Sequence, residues 1–125
     1  MSGEKRLFAL RGAVQCLNTV EDMQVQVTNL YKALLERNNL AEDDIVSIIF
    51  SLTADLDAKN PASCLRAAGF AQERALFVTQ EAACKGGMER IVRVLIHAYL
   101  RTDSTPKAVY QNGAQLLRPD LLTKS

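Results

Sequence analysis

Tryptophan is absent from these 125 residues, histidine occurs once, at position 97, and cysteine three times, at 16, 64 and 84. No two cysteines form a C-x-x-C pair, and one histidine leaves too few ligands for a zinc or redox centre. Their odd number and wide spacing fit reduced thiols in a reducing compartment. Charge of either sign is not in excess: 15 basic residues face 14 acidic ones, for a formal net charge of +1. Without a broad basic field, nucleic acid and anionic membrane are poor partners, and any anion site must be local. Charged residues interrupt every apolar run well before it reaches bilayer length. No apolar h-region with a small-residue cleavage site follows Met1–Arg6. The expected location is therefore the cytoplasm. There is no repeat and no Pro/Gly/Ser linker, so residues 1–125 read as one domain.

What is present is an ordinary globular balance, 48% apolar and 23% charged. Residues 7–14 form a short apolar stretch interrupted by Arg11 and Gly12, which suits a buried strand with a close backbone approach. Asn18 followed by Glu21 resembles a helix N-cap with its acidic third position. From there Val20, Met23, Val27, Leu30, Tyr31 and Leu34 recur at helical spacing, so an amphipathic helix should run to about Arg37 and fray at Asn38-Asn39. Residues 45–53 are β-branched and apolar, as in a central strand. Asn60-Pro61 offers a cap with proline at the first helical position, and Gly69 a stop, enclosing a short helix. Residues 75–79 read as a strand, Gly86-Gly87 as a turn, and 109–117 as a piece able to pair at a sheet edge. This pattern predicts an α+β fold, a mixed sheet with helices packed on one face.

The strongest chemical signal is Arg93, inside the most apolar run of the chain, Ile91-Val92-Arg93-Val94-Leu95-Ile96. A guanidinium stays charged at any ordinary pH, and leaving it unpaired in an apolar interior costs several kcal/mol. If the run is a strand, Arg93 shares a face with Ile91 and Leu95 and must look onto an anion or a polar cavity. Arginines in comparable settings are Arg11, Arg66 and Arg118, with Glu81 and Tyr110 as further polar candidates. Nothing suggests covalent catalysis: no Ser or Cys stands with an acid and base in a recognisable order, and His97 alone supplies no triad. No glycine-rich phosphate loop follows a strand.

These residues, taken with their order, resemble the small chorismate mutases of the AroH type, the trimeric α/β class. The matching stretches are Arg11-Gly12-Ala13, Ser51-Leu52-Thr53-Ala54-Asp55-Leu56, and Pro61-Ala62 with Arg66. They continue with Gln80-Glu81, Gly86-Gly87, Ile91-Val92-Arg93-Val94, Tyr110, and Leu117-Arg118-Pro119-Asp120-Leu121. The resemblance covers nearly the whole chain. It implies a pseudo-α/β-barrel homotrimer with active sites at subunit interfaces, a small-molecule substrate, and no cofactor or metal. By the same resemblance Arg93 donates to the ether oxygen of chorismate and Glu81 binds its ring hydroxyl. Arg11 and Tyr110 hold carboxylate or neighbouring oxygens, and Phe77 and Val78 line the pocket with Thr79, Gln80 and Leu117. Arg66 and Arg118 gather the dianion at the mouth. Three positions depart from the family pattern: Val78 where a cysteine is common, Asn60 for a phenylalanine, and Ser63 for a lysine.

The implied reaction, an intramolecular Claisen rearrangement of chorismate to prephenate in phenylalanine and tyrosine biosynthesis, moves no proton and needs no covalent intermediate. That suits a chain without nucleophile or base. Two other readings remain at this stage. An imine deaminase of the RidA type also clamps carboxylates with arginine in a small trimer. An ACT-like module binds an amino acid and regulates a partner without turnover.

Overall fold

The computed structural model describes residues 3–117. In chain order these form β1 (Lys5–Gln15), α1 (Val20–Arg37), a 3-10 turn at Glu42–Asp44, β2 (Ile45–Leu52) and α2 (Pro61–Ala67). Then follow β3 (Ala75–Gln80), β4 (Ile91–Arg101), β5 (Val109–Gln111) and a 3-10 turn at Ala114–Leu117. The strands make one mixed sheet in the order β3-β2-β4-β1-β5. β4 runs antiparallel to both β1 and β2, while β3 and β5 join the edges in parallel with β2 and β1.

Alternation along the strands explains why one face is covered. Val92, Val94, Ile96, Ala98 and Leu100 of β4 are buried, as are Phe8, Leu10 and Val14 of β1. With Ile48 and Phe50 of β2 they form one core with Met23, Val27, Leu30, Tyr31 and Leu34 of α1, and with Cys64 and Leu65 of α2. Both helices therefore lie on one face of the sheet, as the sequence pattern predicts. Burying these side chains supplies most of the folding drive, at about 1.5–3 kcal/mol for each fully buried large aliphatic or aromatic group.

α1 starts one residue later than Asn18 suggested. Thr19 is its N-cap, and Thr19 Oγ1 accepts the Asp22 N–H at 3.0 Å. Asn18 is used elsewhere: its Oδ1 accepts the N–H groups of Asp57 and Ala58 at 3.0 and 2.9 Å, tying the segment after β2 to the start of α1. Nor do Asn38 and Asn39 simply fray. Asn38 closes the helix, its Nδ2 donating to Leu34 O at 3.0 Å, and its Oδ1 accepts the Lys107 N–H at 2.8 Å. α2 begins as expected, with Pro61 at its first turn and Asn60 Oδ1 accepting the Ala62 N–H at 2.8 Å. Gly69 follows with a φ of 87°, the left-handed residue that lets the chain leave the helix. Residues 109–117 pair only over β5 and then turn into 3-10 helix. No helix among the described residues is long and apolar enough to cross a membrane.

Candidate active site

Among the described residues neither α1 nor α2 lies on the second face of the sheet. On it the register lines side chains into rows that run across the strands. Thr79 pairs with Ser51, Ser51 with Arg93, Arg93 with Ala13, and Ala13 with Tyr110. The next row is Phe77, Ile49, Leu95 and Arg11. Adjacent strands lie about 4.8 Å apart, so residues far apart in sequence become neighbours here. Thr79, Arg93 and Tyr110 thus share one row, and Phe77 and Arg11 the row beside it.

Arg93 is the centre of this arrangement. It faces away from the core, as its place in the strand predicts, and finds its anion in Glu81, the residue immediately after β3. Arg93 Nε donates to Glu81 Oε1 at 2.7 Å, and Nη2 reaches Oε2 at 3.4 Å. Glu81 is fixed in turn by its backbone N–H, which donates to Leu52 O at 2.8 Å. The pair keeps solvent contact, with side-chain exposures of 42% for Arg93 and 25% for Glu81, so it adds at most about 1 kcal/mol to stability. Its consequence is geometric: the fork is held through Nε and Nη2, and among the described residues Nη1 has no hydrogen-bond partner.

That cleft has a volume of about 340 Å³ and is lined by Arg11, Gly12, Ile49, Ser51, Arg93, Val94, Leu95 and Tyr110. The size is in the range of small-molecule sites, roughly 300–1,000 Å³. Two guanidinium groups and two hydroxyls converge on an otherwise apolar wall. One end of the cleft is stiffened by a second small core on this face, Ala13, Ile91, Tyr110 and Ala114, against which Met88 and Leu117 pack. Gly12 allows the closeness of β5. A β-carbon there would stand 2.9 Å from Val109 O, so the parallel pairing that places Tyr110 beside Ala13 requires its absence.

The sequence-predicted residues divide accordingly. Arg11, Arg93 and Tyr110 line the cleft, with Leu117 beside Tyr110, while Glu81 touches it only through Arg93 and itself lines a neighbouring hollow. Phe77 and Thr79 lie exposed on the same face, toward the β3 edge. Val78 does not share that face; its side chain packs on the helix-side core, because consecutive strand residues point opposite ways. Gln80 is exposed at the end of β3, and Arg66 is exposed on α2, in the helix layer. Neither lines the cleft. Arg118 lies outside the described residues. His97, two places past Leu95 on the open face, pairs through Nδ1 with Ser47 Oγ at 3.0 Å. Ile49 and Ser51 are lining residues that residue-type reasoning missed. The available signal was the interruption of the apolar run of β2 by Ser47 and Ser51 at strand spacing.

Chemically the cleft offers a permanent cation held in place by a carboxylate, a second cation one row away, and no nucleophile poised against a base. Such a site binds carboxylates and stabilises negative charge.

Comparison with known proteins agrees with this chemistry. Residues 7–121 match the family model described as chorismate mutase type I. The chain is 31% identical over 121 residues to chorismate mutase AroH of Bacillus subtilis (strain 168), covering 93% of this chain and 94% of that one. It is 31% identical over 117 residues to chorismate mutase AroH of Thermus thermophilus, covering 90% and 93%. A solved chorismate mutase from Clostridium thermocellum superimposes with a TM-score of 0.80 at 39% identity, over 87% of this chain and 98% of that one.

Proposed function

The chain belongs to the type I chorismate mutases and isomerises chorismate to prephenate, a step of aromatic amino acid biosynthesis; on that premise we propose that the rearrangement takes place in the Arg93 cleft. The observation that carries this is the Arg93–Glu81 pair on the face away from α1 and α2, where Arg93 lines a cleft with a second arginine. In the transition state the ether C–O bond lengthens, leaving negative charge on oxygen and positive charge on the ring. A cation already fixed beside the oxygen stabilises that separation more than it stabilises the ground state. The free Nη1 edge of Arg93 supplies it. Glu81 keeps the guanidinium from swinging and offers its carboxylate to the ring hydroxyl. Arg11 and Tyr110 hold the substrate's carboxylates so that the enolpyruvyl arm folds over the ring. Ile49 and Leu95 give the ring an apolar floor.

The rest of the site is contributed by a second copy. Phe77, Thr79 and Gln80 lie on β3 and Arg66 on α2, at the opposite sheet edge from Tyr110, while Val78 stays in the helix-side core. The open face leaves Phe77 64% exposed, with Leu7, Leu95 and Tyr99 also uncovered. Covering this face in a homotrimer of pseudo-barrel form buries those apolar groups and brings the β3 edge of one copy to the cleft of the next. Arg66 then stands at the mouth. The working enzyme in this reading is a cytoplasmic trimer of single-domain chains.

The test is direct. Purified protein is mixed with chorismate, loss of the diene absorbance is followed, and the product is acidified to convert prephenate to phenylpyruvate. Saturable turnover to a product with that acid behaviour is expected. Inertness toward chorismate would refute the reading.

A further inference from the structure

Arg93 and Glu81 meet although segment 81–90 separates them in the chain, so whatever sets the two ends of that segment sets their geometry. One end is tied at Glu81, whose N–H donates to Leu52 O. The other end is Arg90, directly before β4, and its φ is 56°. A residue with a β-carbon avoids this left-handed region, so the conformation persists only where neighbours hold it. Between the ends a hollow of about 290 Å³ separates Thr53, Ala54 and Asp55 from Glu81–Cys84 and Gly87–Glu89. The segment spans this gap rather than packing down on it.

The neighbour holding Arg90 is Asp55. The Arg90 N–H is shared between Asp55 Oδ1 at 3.2 Å and Oδ2 at 3.1 Å. Asp55 Oδ1 also accepts the Thr53 hydroxyl at 2.5 Å, and Thr53 Oγ1 accepts the Ile91 N–H at 3.0 Å. Thr53 N–H donates back to Ile91 O at 3.1 Å, and Arg90 O accepts the Cys16 N–H at 3.0 Å. A single polar clamp built from Thr53 and Asp55 therefore fixes Arg90 and Ile91, three and two residues before Arg93. Asp55 itself does not line the Arg93 cleft.

We propose that Asp55 is a positioning residue for the rearrangement: its carboxylate holds Arg90 in the left-handed backbone conformation, and so presents Arg93 to Glu81 and to the cleft. A carboxylate suits this role because it accepts the backbone N–H and the threonine hydroxyl together, with charge-assisted strength. The kinetic consequence rests on the chorismate mutase reading, whereas the structural consequence does not.

The experiment compares Asp55→Ala, Asp55→Asn and the double variant Asp55→Ala/Arg90→Gly with wild type and Arg90→Gly. Misplacing a catalytic group by a fraction of an ångström to an ångström lowers kcat by about ten- to a hundredfold. Asp55→Ala is expected to fall in that range with KM changed less than about threefold, the signature of an interaction made in the transition state. Asp55→Asn, which keeps one acceptor, falls between. Glycine takes positive φ without steric cost, so the double variant recovers to within about threefold of Arg90→Gly alone. Independently of turnover, the Arg93 Nε–H proton resonance, protected by Glu81 in wild type, exchanges faster in Asp55→Ala. Wild-type kcat and an unchanged Nε–H resonance in Asp55→Ala would overturn the proposal, as would a double variant as slow as the single one. Failure of the wild type to convert chorismate would instead overturn the functional reading and leave the resonance test standing.

Discussion

Replacing Gly12 by alanine tests how tightly the cleft depends on backbone packing. The added β-carbon would lie 2.9 Å from Val109 O and 3.1 Å from the Cδ1 atoms of both Leu30 and Leu34. The leucine ends can turn aside, but the carbonyl belongs to β5, which pairs with β1 only over Gly12–Val14. Restricting the unfolded chain would by itself stabilise the protein by about 0.4–1 kcal/mol, whereas overpacking costs about 1–3 kcal/mol. The steric effect wins, for a net loss of about 1–2 kcal/mol. At roughly 4 °C per kcal/mol for a chain of this size, Tm should fall by about 4–8 °C. Because β5 carries Tyr110, kcat/KM for chorismate should fall about tenfold as well, at temperatures where the variant is fully folded. Thermal scans by far-UV circular dichroism at one protein concentration, with turnover at 25 °C, measure both. A Tm at or above wild type with unchanged kcat/KM would refute the claim that the β1–β5 approach is sterically set.

The thiols offer a second check. Burial, and then the Asp22 carboxylate, push Cys16 from 9.0 up to about 11, and burial also raises Cys64, while Cys84 is exposed. A thiol reagent at pH 8 should label Cys84 alone in the native protein and all three after denaturation. Since the Cys16 thiol stays neutral in the fold while the unfolded chain ionises, its contribution to stability is intact below pH 9 and lost between 9 and 11; Cys16→Ala should reduce the fall in urea midpoint over that window, and an unchanged fall would contradict it. Glu42 Oε2 accepts both the buried Tyr31 hydroxyl at 2.5 Å and the Ala71 N–H at 2.8 Å. Glu42→Gln should therefore cost about 1–2 kcal/mol in urea unfolding, and a loss below about 0.3 kcal/mol would show the contacts to be dispensable.

Much of this architecture was legible because strand alternation is a local property. The alternation of Val92, Val94 and Ile96 with Arg93, Leu95 and His97 assigns both faces of β4 before any partner is known. The same alternation rules against Phe77 and Val78 sharing one pocket wall within a chain, a conflict the resemblance alone hid. What stayed illegible was register. That Ser51 stands beside Arg93, and Thr79 beside Ser51, follows from which strands pair and at what offset, and no run of residues states that. The N-cap error has a similar origin. Asn18 and Thr19 both accept backbone hydrogen bonds well, and the choice between them was made by the distant N–H groups of Asp57 and Ala58. Arg66 looked like its fellow arginines in sequence, yet α2 carries it into the helix layer, away from the cleft.

The central claim is that the fixed positive charge of Arg93 drives the rearrangement. Replacing its side chain with citrulline, nearly isosteric but neutral, isolates that charge, since lysine would place its charge elsewhere. With the fold intact by circular dichroism, kcat for chorismate should fall by about two to three orders of magnitude or more, as for loss of a preorganised donor to a developing anion. A citrulline variant that turns over chorismate at close to the wild-type rate would contradict the account.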